Sequence, residues 1–208
     1  MDEIVTPRLR LRLMSEQFLE ASLNNDSAGA EALIGFQIPP EWFREKAIMA
    51  RRLRDSRSDP AYKPWSLRAV GLNASGVMIG RIGFHTRPDP EYLREFVSDG
   101  VELGYGIFSE YRRQGFAQEA IQSMLHWAAT QHGVSRFVVS IAPANDASMA
   151  LARKLGFVRI GGHQDEVDGF EEVYSLSGAA LERFLAQPEI TADGSPARGS
   201  DSPQESSE

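Results

Sequence analysis

The stretch Gly106–Leu125, GIFSEYRRQGFAQEAIQSML, joins the end of an extended segment to an amphipathic helix. The join contains two arginines, a glutamine and a glycine, at positions 112 to 115. The first N–H groups of a helix have no intrahelical acceptor, and the helix dipole adds partial positive charge there. Gly115 places no side chain between these groups and an anion, and arginine can donate two parallel hydrogen bonds to a phosphate. The turn is therefore either an ordinary solvated loop or a phosphate site.

Two common phosphate-binding motifs do not fit this turn. A P-loop requires lysine after its second glycine, whereas Phe116 follows Gly115. A dinucleotide fingerprint requires a third glycine, and Ser109 stands at that position after Gly104 and Gly106. The segment RRQGFA at residues 112–117 instead fits R/Q-x-x-G-x-G/A. It resembles the acyl-CoA pyrophosphate loop of the GNAT superfamily of N-acyltransferases.

Three further segments carry the same resemblance. They are TPRLRLR at residues 6–12, IGRIGF at 79–84 and NDASMALARKLGF at 145–157. Their order is that of the branch that acetylates ribosomal-protein N-termini, and the resemblance covers about residues 4 to 178. It implies an α/β fold with a mixed, mostly antiparallel seven-stranded sheet. Helices lie on both faces of this sheet, and two central parallel strands splay apart.

Residue periodicity independently predicts most of these elements. Alternating or β-branched runs predict strands at 8–14, 64–72, 77–85, 101–108 and 136–142, with a closing pair around a loop that starts at His163. An apolar stripe predicts a helix from Phe116 to His132, ended by Gly133. Residues 27–43 show no clear period and are expected to be irregular. One domain spans residues 1–186, and the acidic Ser/Pro-rich tail 187–208 is expected to be disordered.

Composition excludes several classes of protein. The 208 residues carry a net charge of −7, which argues against non-specific nucleic-acid binding. The absence of cysteine excludes disulfides and thiolate chemistry, and the four histidines show no metal-ligand spacing, so no metal is expected. No run is long enough to span a membrane, and the N-terminus does not resemble a signal peptide. These features predict a cytoplasmic protein; whether it forms a homodimer is left open.

The resemblance implies that acetyl-CoA is the acyl donor. Its pantetheine arm is expected between the strands 101–108 and 136–142, bonded to backbone groups of Ile107 and Phe108. The pyrophosphate is expected at the amides of the turn and beside its arginines, namely Arg112, Arg113, Gln114, Gly115, Phe116 and Ala117. Asn145 matches a family asparagine that faces the cofactor, although it also suits a helix cap. Lys154 is either a ligand of the adenosine phosphates or a surface lysine.

Direct transfer to a primary amine in a ternary complex requires a base, an oxyanion donor and a means of stabilising the thiolate. Glu102 lies on the strand beside the predicted thioester position and corresponds to an acid often found at the start of this family strand. It is therefore the candidate base, directly or through water; otherwise it is a pairing or solvent-facing residue of its strand. A backbone amide near Ile107 is the candidate oxyanion donor. Many relatives have a tyrosine where this chain has Ala152. Ser148 is a suggested substitute, with Tyr105 and Tyr111 as alternatives.

The acceptor pocket is the least recognisable part of the chain. Trp65, His85 and Tyr105 are candidate acceptor-binding residues, and the acidic segment 163–172 either attracts a cationic acceptor or is a solvated hairpin. The acceptor is expected to be a protein N-terminus or a small amine. The alternative is a regulatory acyl-CoA-binding domain without catalysis, which the alanine at position 152 keeps open.

Overall fold

The computed structural model describes residues 3–165 and 169–186, which contain one mixed sheet of eight strands. The strands are β1 (Glu3–Val5), β2 (Leu9–Leu13), β3 (Arg68–Leu72), β4 (Met78–Phe84), β5 (Val101–Ile107), β6 (Arg136–Ile141), β7 (Val158–Asp165) and β8 (Gly169–Ser177). Their order across the sheet is β1-β2-β3-β4-β5-β6-β8-β7. All neighbours are antiparallel except β5 and β6, which run parallel. The mixed, mostly antiparallel sheet with a central parallel pair is thus confirmed.

The sheet has one strand more than the seven expected. The extra strand is β1, which pairs antiparallel with β2 and places Ile4 opposite Leu11. Only three residues long, β1 is too short to show a reliable alternation of polar and apolar residues. It adds an outer edge to the sheet and does not change the order of the other strands.

Within the described residues, six α-helices pack on the sheet. They are α1 (Glu16–Leu23), α2 (Ser27–Ile34), α3 (Lys46–Ser58), α4 (Phe116–His132), α5 (Asp146–Lys154) and α6 (Gly178–Leu185). Buried side chains of α1 to α3 share one core with Ala69 and Met78, whereas α4 to α6 share another with Val70 and Ile79. Because consecutive strand residues point to opposite faces, the two groups of helices lie on opposite sides of the sheet. This confirms helices on both faces.

Helix α2 corrects the expectation that residues 27–43 are irregular. The Asp26 side chain caps the helix by accepting a hydrogen bond from the Gly29 amide at 2.9 Å. At the other end Gly35 adopts a left-handed conformation with φ +70°. Ala30 and Ile34 are buried beneath the helix. An eight-residue helix shows little more than two turns of periodicity, so its caps were the clearer signal.

The closing hairpin extends further than the sequence suggests. His163 was expected at the start of a loop, but β7 continues through Asp165 and pairs His163 with Glu171 of β8. The segment 163–172 is therefore strand on both sides of residues 166–168. These three residues and the tail from 187, for which disorder was expected, lie outside the described part of the chain.

Candidate active site

Strands β5 and β6 separate soon after they begin. Val101 pairs with Phe137 and Glu102 with Val138, and the register contains no later pair. Both strands nevertheless continue, β5 to Ile107 and β6 to Ile141. The splay expected of the central pair is therefore present, and it opens towards the turn at residues 112–115.

Backbone groups of β5 line this opening. The Glu102 carbonyl accepts a hydrogen bond from the His85 amide at 2.8 Å, and the Phe108 amide donates to the Ile79 carbonyl at 2.8 Å. The backbone N–H and C=O groups of even-numbered residues of β5 therefore form their hydrogen bonds with β4. Because the pairing direction alternates along a strand, the N–H and C=O groups of Tyr105 and Ile107 point into the gap. An extended amide-containing ligand in the gap could bond to them as an additional strand would.

The expected pantetheine contacts at Ile107 and Phe108 have unequal geometry. The Phe108 amide is already bonded to β4, and the Ile107 carbonyl accepts from the Arg112 Nε at 2.9 Å. The Ile107 N–H remains directed into the gap. Among the amides, Ile107 is thus better placed for such a ligand than Phe108.

The turn after β5 presents several amide groups together. Gly115 precedes α4 with φ +82°, and Arg113 also has a positive φ of +61°. No side chain caps this helix, and the amides of residues 113–117 donate no hydrogen bond to another described residue. Arg112 and Arg113 are exposed beside them. Free amides at a helix N-terminus with adjacent arginines can bind a phosphate.

The Arg8 side chain contacts this turn. Arg8 was not predicted as a site residue. Its Nε lies 2.6 Å from the Glu119 Oε2, and its Nη1 donates to the Gln114 carbonyl at 3.0 Å. The guanidinium carbon lies 4.5 Å from the centre of the Phe116 ring. The Thr6 hydroxyl donates to the same carboxylate at 2.6 Å. The segment 6–8 therefore holds the first turn of α4 in place.

Helix α5 begins on the far side of the gap. Asn145 caps it, since its side chain accepts from the Ser148 amide at 3.2 Å. Ala152, at the position of the family tyrosine, is buried in the core with 5% of its surface exposed. Lys154 is exposed at the end of the helix. The structure thus displays the capping role of Asn145, and the two cofactor contacts of Asn145 and Lys154 stay predictions.

Tyr105 of β5 and Ser148 of α5 are close enough for their side chains to interact. Burial raises the pKa of Tyr105, and hydrogen bonding with the Ser148 hydroxyl opposes part of that rise. The phenol therefore remains protonated at neutral pH and can act as a proton donor. Two residues that the sequence offered as separate alternatives for thiolate protonation are neighbours in the structure.

A polar cavity of about 310 Å³ opens on the other face of β5. Its walls come from α3, from the segment that follows β4, and from β5, β6 and the β7–β8 hairpin. The residues nearest the sheet are His85, Thr86, Tyr92, Glu102 and Ser140. Those around them are Arg51, Arg52, His163, Asp165 and Glu171. No aliphatic or purely apolar side chain is among these lining residues, so the cavity suits a polar, charged acceptor.

Glu102 lies at the floor of this cavity with 5% of its surface exposed. Its Oε2 accepts a hydrogen bond from the Tyr92 hydroxyl at 2.8 Å and lies 3.2 Å from His85 Nδ1. Burial alone would raise the pKa of this carboxyl group. The hydrogen bond and charge of His85, together with the Tyr92 hydrogen bond, outweigh burial and lower the pKa to about 2. Glu102 is therefore ionised throughout the neutral range.

The structure does not bring Trp65 to the cavity. Its ring packs between Phe84, Trp127 and His132, with centroid distances of 5.4, 5.2 and 4.8 Å, and 7% of the residue is exposed. Phe84 and Trp127 belong to the core beneath α4, and His132 is exposed at the end of that helix. Tyr92 and Arg52, by contrast, line the cavity although neither stood out in sequence. Tyr92 comes from an irregular connection and Arg52 from a helix with many arginines, so neither had a distinguishing pattern.

Residues 3–165 and 169–186 contain no cluster of three or more His, Asp or Glu side chains able to hold a metal ion. No helix within the same ranges is long and apolar enough to cross a membrane.

A family model described as an acetyltransferase (GNAT) domain matches residues 8–158. An uncharacterized N-acetyltransferase of Bacillus subtilis (strain 168), YjdG, is 25% identical over 158 residues, which are 74% of this chain and 88% of that protein. The family match at residues 8–158 includes the turn, both splayed strands and helix α5.

Solved structures share the fold at lower identity. A ribosomal-protein-S5-alanine acetyltransferase from Vibrio fischeri superposes with a TM-score of 0.57 at 15% identity, over 85% of this chain and 97% of that one. RimL, a ribosomal L7/L12 α-N-protein acetyltransferase in complex with coenzyme A, gives 0.57 at 16% identity, over 85% and 98%.

Proposed function

This chain belongs to the acetyltransferase (GNAT) family, and we propose that it transfers the acetyl group of acetyl-CoA to a primary amine by direct attack in a ternary complex. The observation that carries this proposal is the arrangement along β5. Unbonded amides lie at one end of this strand, and the ionised Glu102 in its polar cavity lies at the other. A single extended donor along the gap would connect the two.

Acetyl-CoA is the acyl donor, and its binding is assigned to three parts of the site. The amides from Gln114 to Ala117 surround the pyrophosphate, and Arg112 and Arg113 add charge beside it. The backbone of Tyr105 and Ile107 bonds the pantetheine arm in the gap, with Phe108 packing below. Asn145 and Lys154 contribute from α5. These assignments rest on the geometry of the turn and gap together with the family's binding mode.

Direct transfer assigns a separate role to each side of β5. The amine enters from the polar cavity and loses a proton to the basic centre at Glu102 as its nitrogen attacks the thioester carbon. The Ile107 N–H, which points into the gap, stabilises the oxyanion. The C–S bond then breaks, and the sulfur receives a proton from the Tyr105–Ser148 pair. This pair is assigned the proton-donating role of the tyrosine that many relatives have at the position of Ala152.

The acceptor is assigned as a primary amine on a protein N-terminus or on a small molecule. The names of the two solved relatives specify an alanine of ribosomal protein S5 and the α-N position of ribosomal L7/L12, which supports an N-terminal amine as one class. The wholly polar cavity supports a charged acceptor in either class. We assign the acetyltransferase domain to residues 1–186 and a cytoplasmic location.

Turnover and binding should be measured separately. Calorimetry with acetyl-CoA tests the donor site. Release of the CoA thiol tests transfer with a panel of peptides beginning with serine, alanine or methionine, diamines and free amino acids. We expect binding together with acceptor-dependent thiol release. Binding without release for every acceptor would overturn the proposal and favour the regulatory domain without catalysis.

A further inference from the structure

His85 lies between Glu102 and the part of β5 that leads to the cofactor turn. It follows the last residue of β4, and its amide donates to the Glu102 carbonyl at 2.8 Å. Its ring also returns to the same residue, with Nδ1 3.2 Å from the carboxylate Oε2. About a third of the side chain is exposed, at the wall of the polar cavity. The backbone and the ring are therefore both fixed relative to Glu102.

This contact determines the tautomer of the neutral imidazole. The ionised carboxylate can only accept hydrogen bonds, so Nδ1 must carry the proton that it shares with Oε2. The second ring nitrogen, Nε2, then has a free lone pair. Nε2 makes no hydrogen bond with a described residue. The ring is thus prepared to accept a proton at Nε2.

Because Gly104 has no side chain, there is room beside it for the Nε2 atom of His85. A Cβ atom at Gly104 would lie 2.5 Å from Nε2, which is closer than contact allows. Gly104 is the next residue after Glu102 on the same face of β5, one step towards Ile107. The basic nitrogen therefore lies further along the strand than Glu102, on the way to the expected thioester.

We propose that His85 accepts the proton of the acceptor amine at Nε2, and that Glu102 is a positioning residue that fixes its tautomer and balances the charge of the imidazolium. This inference rests on the proposed function and names the atom through which the basic centre acts. Tyr92 completes the arrangement, because its hydroxyl donates to the same carboxylate oxygen at 2.8 Å.

The proposed step balances atoms and charge. Nε2 takes one proton from the amine while the nitrogen lone pair forms a C–N bond to the thioester carbon. The C–S bond then breaks with its electron pair on sulfur, which is protonated from the opposite face of β5. The imidazolium returns its proton to water at the mouth of the cavity, and the Tyr105–Ser148 pair regains a proton from solvent. The products are an N-acetylated acceptor and the CoA thiol.

Glu102 is poorly suited to take the proton itself. Its Oε2 already accepts one hydrogen bond and faces His85, and only 6% of the side chain is exposed. With its pKa lowered to about 2, the carboxylate is also a weak base. Its negative charge beside His85 instead favours protonation of the imidazole during the reaction.

Other charged groups around the cavity act on the same imidazole. Arg52 donates to the His85 carbonyl at 3.1 Å and brings a positive charge close to the same residue. The remaining titratable groups of the cavity wall are Arg51 of α3, Tyr92, His163 and Asp165 of β7, and Glu171 of β8. The contribution of His85 must therefore be isolated by substitution and not read from the wild-type pH profile alone.

The kinetic test compares His85→Gln, Glu102→Gln and a control, His126→Gln. The control residue lies on α4, where its ring packs against Phe184 at 5.6 Å. We expect His85→Gln to lower kcat about 100-fold, in the range typical of lost base catalysis, with unchanged acetyl-CoA affinity. The serine-starting peptide is the first acceptor, followed by the rest of the panel. His126→Gln should match the wild type.

The pH profile separates base catalysis from a structural role. The wild-type kcat/KM should rise with pH through one ionisation in the range where histidines titrate. This limb should disappear in His85→Gln, and added imidazole should restore part of the activity of His85→Gly. Wild-type turnover with an unaltered limb in His85→Gln would overturn the inference and leave the proposed function intact.

Nitrogen NMR provides a readout without turnover. The chain has four histidines, so loss of one signal set in His85→Gln assigns the ring. In its neutral form the His85 ring should carry its proton at Nδ1, and Glu102→Gln should give a mixture of tautomers. A wild-type ring protonated at Nε2 would overturn the inference. Acetyl-CoA binding without turnover of any acceptor would instead remove the proposed function, and the inference with it.

Discussion

Arg8 and Glu119 are 111 residues apart in sequence, yet the Arg8 Nε lies 2.6 Å from the Glu119 Oε2. The pair joins the start of the chain to the first turn of α4. The carboxylate also accepts from the Arg8 amide at 2.9 Å, and 7% of the Glu119 side chain is exposed. The amides proposed to bind pyrophosphate are therefore held by a contact from the edge of the sheet.

Glu119→Gln should weaken acetyl-CoA binding although Glu119 need not touch the cofactor. Loss of the charged pair loosens Arg8 and with it the Gln114 carbonyl that Arg8 holds at 3.0 Å. We expect Kd to rise about tenfold, or about 1.4 kcal/mol. Calorimetry measures this change. Arg10→Ala, at an exposed arginine of β2, serves as the matched control, and an equal effect there would contradict the specific role of the pair.

Gly115→Asp should abolish detectable acetyl-CoA binding. The new carboxylate would repel the pyrophosphate, and φ of +82° is unfavourable for any residue with a side chain. Gly133→Asp, at the other end of the same helix with φ +68°, imposes a similar backbone cost away from the turn. If both variants bind acetyl-CoA equally well in calorimetry, the turn is not the phosphate site.

Glu102→Gln should reduce stability at neutral pH and lose this effect in acid. The folded-state pKa of Glu102 is lowered from 4.5 to about 2, so its ionised form stabilises the native state above about pH 4.5. That contribution, a few kcal/mol, should disappear as the pH falls through about 2. Denaturant unfolding of both proteins across this range measures the difference. Glu182→Gln on α6, an exposed acid, should show no comparable dependence.

Tyr105→Phe and Ser148→Ala should each lower kcat about tenfold or more and leave acetyl-CoA affinity unchanged. Each removes one hydroxyl from the pair that we propose protonates the departing sulfur. Because the two act together, the double variant should be little slower than the slower single variant. Fully multiplicative losses in steady-state kinetics would mean that the hydroxyls act independently.

Gly104→Ala should impair turnover by displacing the His85 ring. The added methyl would lie 2.5 Å from Nε2, whereas a methyl at Gly106 would lie 3.6 Å from the Arg81 guanidinium, an ordinary contact. We expect the substitution at 104 to lower kcat much more than the one at 106. Similar losses at both positions would indicate a general disturbance of β5.

Local rules were sufficient for the central part of the fold. The strand β5, the turn at 112–115 and the helix α4 follow from alternation, a left-handed glycine and an apolar stripe, all read within a few residues. Helix α2 was missed because two turns give a weak period, although Asp26 and Gly35 marked its ends. The edge strand β1 was missed for the same reason of length.

The site was less accessible from sequence because its parts meet through tertiary structure. Nothing near Arg8 indicates Glu119, and nothing near Tyr92 indicates Glu102. Trp65 shows that closeness in sequence is also a poor guide to position. It lies close to β3 in sequence, but its ring enters the core beneath α4 and not the cavity. The face that a residue of an irregular segment occupies depends on packing that local patterns do not encode.

The alternation along β5 has a consequence for how such an enzyme can change. Tyr105 and the backbone that lines the gap belong to one set of positions, whereas Glu102, Gly104 and the cavity belong to the other. In the proposed mechanism, substitutions in the cavity walls can therefore alter which amine is accepted without disturbing the contacts that bind acetyl-CoA. A new specificity can arise, by natural variation or by laboratory selection, on a donor site that stays constant.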